Sequence, residues 1–182
     1  GKDTGDDGLF IAMSKFKELS KDVDFILTLG DLPTHLLGYS PENADYETTA
    51  FHSFFEANVQ LKPMFYISGN NDPLSGNYQP FEFDGKSPLN SAVDGTGACM
   101  HCEGSILDDT HMSSGGYYSS YVRPGNKDII LSVLNTTQWI KGSIFFPKYR
   151  NQEIDALVQL NWFNEQLKKH HAKQLLVAMH IP

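Results

Sequence analysis

Three short apolar runs that end in the same way most constrain the fold of this chain. "FILTLGD" ends at Asp31, "MFYISGN" at Asn70 and "LLVAMH" at His180. Continuous apolar runs of this length are typical of strands in a sheet that is covered on both faces. If the three strands lie parallel in one sheet, their carboxyl ends meet at one edge, where α/β proteins place their functional sites. We therefore expect a carboxylate, an amide and an imidazole to converge.

The residue types at these strand ends favour metal binding. Carboxylate oxygens, amide oxygens and imidazole nitrogens are all good ligands for divalent ions. Gly30 and Gly69 directly precede two of the three residues, which allows a sharp turn and a close approach of the backbone. Taken alone, each residue has an ordinary explanation, such as an Asp or Asn that stabilises a turn. Three coincidences at three strand ends favour a shared site.

Helical patterns separate the apolar runs. "DDGLFIAMSKFKELSK" predicts a helix that Asp6 or Asp7 caps. A second predicted helix has Ser40 at its N-cap and Pro41 at its first position, and "NQEIDALVQLNWFNEQLKKHH" predicts a third. The apolar residues at helical spacing in the first and third helices, which we expect to face the core, are Ala12, Phe16, Leu19, Val23, Ala156, Leu160, Phe163 and Leu167.

The remaining segments complete an α/β pattern. "GYYSSYV" and "DIILSVLN" predict a pair of strands around the turn "RPGNK". This order of elements indicates an α/β domain built in layers. From Asn70 to about Gly116 no period persists, so we expect a long ordered loop of the kind that often carries function. Three aromatic residues of this loop either contact a ligand or pack the loop itself: Tyr78, Phe81 and Phe83.

Length and charge narrow the class of protein. The 182 residues suit one domain with a sizeable core. A formal net charge of −8 argues against binding to a nucleic-acid polymer, which requires clustered Lys and Arg. No apolar run approaches the ~20 residues of a transmembrane segment. The two cysteines of "CMHC", Cys99 and Cys102, leave three alternatives open: a disulfide in an exported protein, thiols that are free or pair elsewhere, and metal or redox chemistry.

The motifs at the strand ends resemble those of a known family. "GDLPTH" (30–35), "GNND" (69–72) and "MHIP" (179–182) are similar to motifs of the calcineurin-like metallophosphoesterases, and more closely to those of the acid sphingomyelinase-like phosphodiesterases. "GGYYSSYVRPGNKDIILSVLNTTQW" and the helix and strand that follow it resemble the corresponding parts of that branch. The resemblance implies an α/β fold in which a β-sandwich is flanked by helices, in layers α/β/β/α.

Two segments of the family do not stand in this sequence. The family has an Asp-x-His segment before the first motif and a Gly-His-x-His segment after the third. We therefore expect a single metallophosphoesterase domain, residues 1–182, that is incomplete at both ends and inactive by itself.

The resemblance also implies a site and a reaction. Two divalent ions, zinc or alternatively manganese or iron, would be held by Asp31, which bridges them, and by Asn70 and His180, which bind one of them. His35 would lie beside the leaving-group oxygen as a general acid. Asn71 stands where the family has a histidine that contacts the substrate, which moves the acid role to His35. The expected activity is metal-dependent hydrolysis of a phosphoester, in particular a lipid or nucleotide phosphodiester.

Other functions stay open at this point. A phosphomonoester is a further possible substrate, and a non-catalytic binding protein that retains the fold is the main alternative to an enzyme. An unrelated α/β binding domain would place Asp31, Asn70 and His180 far apart. "NTT" at Asn135 matches the acceptor pattern for N-glycosylation. Together with the resemblance it gives a mild preference for an exported protein, whether secreted, periplasmic or lysosome-like.

Overall fold

Two sheets organise the part of the chain that the computed structural model describes, which is residues 5–33, 49, 52–54, 56–89 and 98–182. The first sheet has the order β1-β2-β3, with β1 at Ile26–Thr28, β2 at Met64–Tyr66 and β3 at Cys99–Met100. β1 and β2 are parallel, and β3 is antiparallel to β2. The two apolar runs that precede Asp31 and Asn70 are therefore parallel neighbours, as expected.

The second sheet has the order β4-β5-β6-β7. Its strands are β4 at Ile106–Asp108, β5 at Tyr118–Arg123, β6 at Asn126–Val133 and β7 at Gln174–Ala178. β4, β5 and β6 are antiparallel, whereas β7 runs parallel to β6. The expectation that all three apolar runs share one sheet is wrong, because the run before His180 forms β7. A long helix between β6 and β7 allows these consecutive strands to pair in parallel.

The core lies where the two sheets face each other. Residues from both sheets, among them Met64, Phe65, Leu131 and Val133, belong to one buried apolar cluster. The hydroxyl of Tyr118 on β5 crosses to the first sheet, where it lies 3.0 Å from the carbonyl oxygen of Tyr66 and 3.1 Å from that of Ala98. Burial raises the pKa of Tyr118, so the hydroxyl keeps its proton and donates it. The predicted layered α/β class is confirmed.

Helix α1, Asp6–Leu19, packs on the first sheet through only part of its predicted face. The ring of Phe16 meets that of Phe54 edge to face at 5.3 Å, and both pack against the core. Ala12 and Leu19 are exposed instead. Gly5 occupies the N-cap position and makes no side-chain cap, so the prediction that Asp6 or Asp7 caps this helix is wrong.

The second predicted helix lies mostly outside the described residues, together with Ser40 and Pro41. Within it, residues 49, 52–54 and 56–57 are helical. The short helix α2 spans Met112–Gly115, and the long helix α3 spans Gln152–Lys169. None of the helices in the described ranges is long and apolar enough to cross a membrane.

The predicted core face of α3 is only partly correct. Ala156 and Phe163 are half-buried, but Leu160 and Leu167 are exposed. The residues that are buried are Gln152, Gln159, Trp162 and Gln166. The amides of the three glutamines hydrogen-bond to the loop after β6 and to Ser119 on the second sheet, which offsets the cost of burying them. The indole N–H of Trp162 donates to Asp108. Apolar periodicity cannot detect a face of this kind.

The segment from Asn70 to Gly116 contains more regular structure than a loop. β3, β4 and α2 all lie within it, so the prediction of one long irregular segment is wrong for its second half. β3 and β4 are short and gain their backbone partners from β2 and β5, which are distant in sequence. Cys99 and Cys102 form a disulfide and are both fully buried, so of the three alternatives the structure has the paired cysteines, and the exported location stays a prediction.

Candidate functional site

The ends of β1 and β2 approach each other so closely that two glycines are required. Gly30, at φ +79°, has no space for a side chain, because a Cβ there would lie 2.4 Å from the carbonyl oxygen of Ile67. A Cβ on Gly69 would lie 2.2 Å from Oδ1 of Asp31. Asp31 itself has a positive φ of 57°, which non-glycine residues seldom adopt and which is common at functional sites. The two glycines therefore allow the turns after β1 and β2 to contact each other.

The carboxylate of Asp31 is held by the residue after Asn70. Oδ1 accepts a hydrogen bond from the backbone N–H of Asn71 at 2.9 Å, and Oδ2 accepts one from its side-chain Nδ2 at 3.0 Å. This orientation of the Asn71 amide follows from the chemistry, because its oxygen could not face a carboxylate oxygen. Asn71 is thus an orienting partner of Asp31 across the two strand ends.

The carboxylate of Asp72 accepts hydrogen bonds from both turns, a role that its sequence context did not predict. Its Oδ2 accepts from the backbone N–H of Gly69 at 2.6 Å and from that of Asp31 at 3.2 Å, and its Oδ1 accepts from the hydroxyl of Tyr66 at 2.8 Å. Burial raises its pKa to about 6, although these three donors oppose the shift. The available signal was a carboxylate that closes the same "GNND" motif.

His180 reaches the same place from the second sheet. Its Nδ1 lies 2.5 Å from the carbonyl oxygen of Leu29, and its Nε2 lies 3.3 Å from Oδ2 of Asp31. A carbonyl oxygen only accepts, so Nδ1 carries a proton and Nε2 is the nitrogen that faces the carboxylate. Without a proton of its own, Nε2 is an acceptor like Oδ2. Two acceptors that face each other at this distance need a proton or a cation between them. The anchored Nδ1 is also how proteins orient a histidine that binds a metal.

Asn70 lies in the turn that contains Asn71. Its Nδ2 donates to Oδ1 of Asn77 at 2.9 Å, and its carbonyl oxygen accepts from the backbone N–H of Tyr78 at 2.8 Å. The amide oxygen of Asn70 is therefore the atom that remains for a cation. His35, the proposed acid, lies outside the described residues.

The ligand atoms of Asp31, Asn70 and His180 suit a divalent cation, but they form only part of a metal site. Carboxylate, amide and imidazole donors fit zinc, manganese or iron. The side-chain oxygen of Asn71 is buried and has no hydrogen-bond partner among the described residues, so it is an acceptor that a donor or a cation would satisfy. Within the described ranges, no group of three or more His, Cys, Asp and Glu side chains could hold a metal. At the candidate site, Asp31 provides the carboxylate and His180 the imidazole. The other possible ligands, Asn70 and Asn71, are amides.

A cavity of about 320 Å³ adjoins His180. Most of its lining is apolar, with one cationic residue: Thr136, Trp139, Ile140, Lys141, Met179, Ile181 and Pro182. The hydroxyl of Thr136 accepts a hydrogen bond from the backbone N–H of Ile181 at 3.1 Å, which connects the turn after β6 to the segment that carries His180. The cavity therefore lies along the segment that carries His180, with the sequence neighbours Met179 and Ile181 in its lining.

The glycosylation pattern at Asn135 has a structural explanation. Asn135 is buried, and its Nδ2 donates to the carbonyl oxygen of Gly115 at 2.9 Å. Its backbone N–H and carbonyl are both bonded to the amide of Gln159. In the folded chain this side chain stabilises a turn and is not accessible to a glycan.

The aromatic residues of the segment after Asn70 divide into two groups. Phe81 is buried, and a Cβ on Gly116 would lie 2.7 Å from its ring, so Phe81 serves packing. Tyr78 stacks at 5.2 Å on Phe146, which follows the cavity-lining residues, and Phe83 is 43% exposed. Of these three aromatic residues, Tyr78 and Phe83 are accessible to solvent and could contact a ligand.

Comparison with known proteins bears on the family of the chain and not on single residues of the site. The family model for calcineurin-like phosphoesterases matches residues 3–182. A comparison with curated proteins finds no significant match. The matched range covers nearly all of the chain and includes every residue placed at the site above. The chain therefore belongs to the calcineurin-like phosphoesterases, a family that hydrolyses phosphoesters and typically uses divalent metal ions.

Proposed function

We propose that this protein is a metal-dependent phosphodiesterase of the acid sphingomyelinase-like kind, with a lipid or nucleotide phosphodiester as its substrate. The observation that carries the proposal is the pair formed by Asp31 and His180. Nε2 of His180 faces Oδ2 of Asp31 at 3.3 Å while its Nδ1 is fixed by Leu29. Such a pair of acceptors is suited to a cation, and the hydrolysis of phosphoesters is chemistry that cations promote.

Each residue of the site has a separate role in this proposal. Asp31, Asn70 and His180 would hold two divalent ions, with zinc expected and manganese or iron as alternatives. When bound, the ions supply an activated water and neutralise charge on the phosphoryl group. Asn71 orients Asp31 through two hydrogen bonds, and Leu29 fixes the tautomer of His180. His35 is the proposed proton donor to the leaving group.

The cavity beside His180 supports a diester over a monoester. A diester carries a second substituent, and a cavity of about 320 Å³ next to the proposed metal ligands can receive one. Its apolar lining suits an acyl chain, and the indole of Trp139 suits either a chain or a base. A phosphomonoester would use only one side of the site.

Replacement of Asp31 tests the proposal. The full-length protein, purified and loaded in turn with Zn²⁺ and Mn²⁺, is assayed on bis(p-nitrophenyl) phosphate, p-nitrophenyl phosphate, sphingomyelin and a dinucleotide. We expect Asp31→Asn to lower phosphodiester turnover by at least about 100-fold and to lower metal content with it, because an amide cannot neutralise two cations. Asp128→Asn, at a carboxylate whose side chain is 91% exposed, is the matched control and should change neither. Full turnover by Asp31→Asn would contradict the proposed role.

One observation favours a second function. Asn71 occupies the position of a histidine in the family, and its amide is committed to Asp31. A protein with this change could bind metal and phosphoester without hydrolysing it. Metal loading at the normal level, binding of the diesters and no turnover with any metal would establish this alternative.

A further inference from the structure

A turn beside the site exposes two large apolar side chains. Ile144 is 91% exposed and Phe145 is 83% exposed, which makes them the most exposed large apolar residues in the described part of the chain. Exposure of this degree at adjacent positions is unfavourable in water, because neither side chain removes apolar surface from solvent. It indicates a surface that becomes covered when the protein functions.

Local hydrogen bonds fix the turn in a shape that projects these two residues. The backbone N–H of Ser143 donates to the carbonyl oxygen of Phe146 at 2.9 Å, and the N–H of Phe146 donates to the hydroxyl of Ser143 at 3.1 Å. A Cβ on Gly142 would lie 2.8 Å from Cγ of Lys148, so the two limbs of the loop are in close contact. Ile144 and Phe145 are the central residues of a closed turn.

The turn lies on the rim of the candidate site. The ring of Phe146 packs on that of Tyr78 at 5.2 Å, and the N–H of Tyr78 donates to the carbonyl oxygen of Asn70. On the other side, Trp139, Ile140 and Lys141 line the cavity beside His180 and lead directly into the turn. Whatever covers the tip of the turn therefore lies next to the entrance of the cavity.

The charges around the turn oppose the net charge of the chain. Residues 139–151 contain Lys141, Lys148 and Arg150 and no carboxylate, in a chain whose formal net charge is −8. All three cations are exposed, although Lys148 also pairs with Glu153 at 2.8 Å. An apolar tip with flanking cations is complementary to an anionic lipid surface, where apolar side chains enter the headgroup region and cations meet phosphates.

We propose that the turn Ser143–Phe146 docks the protein on anionic lipid membranes, with Ile144 and Phe145 inserted and Lys141 and Arg150 at the headgroups. A stable protein partner would need about 600–1,000 Å² on each side, whereas two side chains on a protruding turn present far less. Docking does not depend on hydrolysis, so it is tested separately from the proposed function. If both hold, docking would bring the cavity to a substrate that resides in the membrane.

Vesicle binding tests the proposal. Sedimentation with vesicles of phosphatidylcholine and of phosphatidylcholine with about 30 mol% phosphatidylserine, an anionic lipid, measures the bound fraction without substrate turnover. We expect the protein to prefer the anionic vesicles, and the double variant Ile144→Ser/Phe145→Ser to lower its partition coefficient at least about tenfold. Lys141→Gln/Arg150→Gln should weaken binding by several-fold at low salt and have little effect at high salt.

A matched control uses the same residue types elsewhere. Phe10→Ser/Ile11→Ser replaces two adjacent apolar side chains of α1 that are 74% and 64% exposed. Neither is close in sequence to a residue of the site. This variant should bind vesicles like the unmodified protein. Absence of vesicle binding, equal loss in the control, or retained binding in the turn variant would overturn the proposal. So would a dimer in sedimentation velocity that only the turn variant abolishes, because a second copy would then be the occupant.

Discussion

At the scale of single residues, the candidate site depends on contacts that leave no spare volume. Asp31 and His180 could be predicted because each follows an apolar strand, and strand ends determine where side chains meet. Asp72 could not be assigned a role, since its three donors come from two turns and a strand that only the fold brings together. Sequence identifies residue types, but it does not show which carboxylate is buried.

Gly69→Ala is the most direct test at this scale. A Cβ at position 69 would lie 2.2 Å from Oδ1 and 2.8 Å from the backbone nitrogen of Asp31. Oδ1 is held by the N–H of Asn71, and the nitrogen belongs to the turn itself, so the change should displace Asp31. We expect metal affinity, measured by isothermal titration with Zn²⁺, to fall by about 10–100-fold, as it does when partners of a metal ligand are lost. Gly5→Ala meets no atom within 4 Å and is the control. Unchanged affinity in Gly69→Ala would show that the two turns do not meet as described.

At the scale of elements, strands were more predictable than the faces of helices. β1 and β2 lie within predicted strands, because buried strands leave continuous apolar runs. β5, β6 and β7 overlap predicted strands, although β5 and β6 extend into the predicted turn "RPGNK". The core face of α3 escaped prediction because its buried positions are mainly glutamines. Gln159 shows the reason: its amide both accepts from and donates to the backbone of Asn135, at 2.8 and 2.9 Å, and also donates to Gln138 at 2.7 Å. A satisfied amide is compatible with a core, but hydropathy counts it as polar.

Gln159→Leu tests whether these hydrogen bonds, and not packing alone, attach α3. Leucine has a similar volume but would leave the N–H of Asn135 and the side-chain oxygen of Gln138 without the bonds from this amide. The carbonyl of Asn135 would keep only its 3.3 Å bond from the N–H of Gln138. We expect the free energy of unfolding in urea to fall by about 2–4 kcal/mol. Asn161→Leu replaces an exposed amide on the same helix and should change stability by no more than about 0.5 kcal/mol. A stability of Gln159→Leu equal to that of the control would mean that the network contributes nothing.

At the scale of the whole molecule, the site exists because two sheets share one core. Asp31 follows the first sheet and His180 follows the second, so their distance of 3.3 Å depends on how the sheets are placed. The sequence indicated convergence but assigned all three strands to one sheet, since apolar runs do not reveal which neighbour each strand will pair with. That choice is made by the connections: β6, α3 and β7 are consecutive, so β7 joins β6.

Tyr118→Phe tests the attachment of one sheet to the other. The fully buried Tyr118 carries its hydroxyl from β5 to the carbonyl oxygens of Tyr66 and Ala98. Phenylalanine keeps the ring in the core but removes this donor, so we expect a loss of about 1–2 kcal/mol in the free energy of unfolding. Because one buried cluster spans both sheets, fluorescence and far-UV circular dichroism should still report a single transition. Tyr121→Phe, three residues along on the opposite face of β5, is the control and should change stability little. If Tyr118→Phe instead separated the unfolding curve into two steps, the sheets would be independent units, and the 3.3 Å approach of His180 to Asp31 would need another cause.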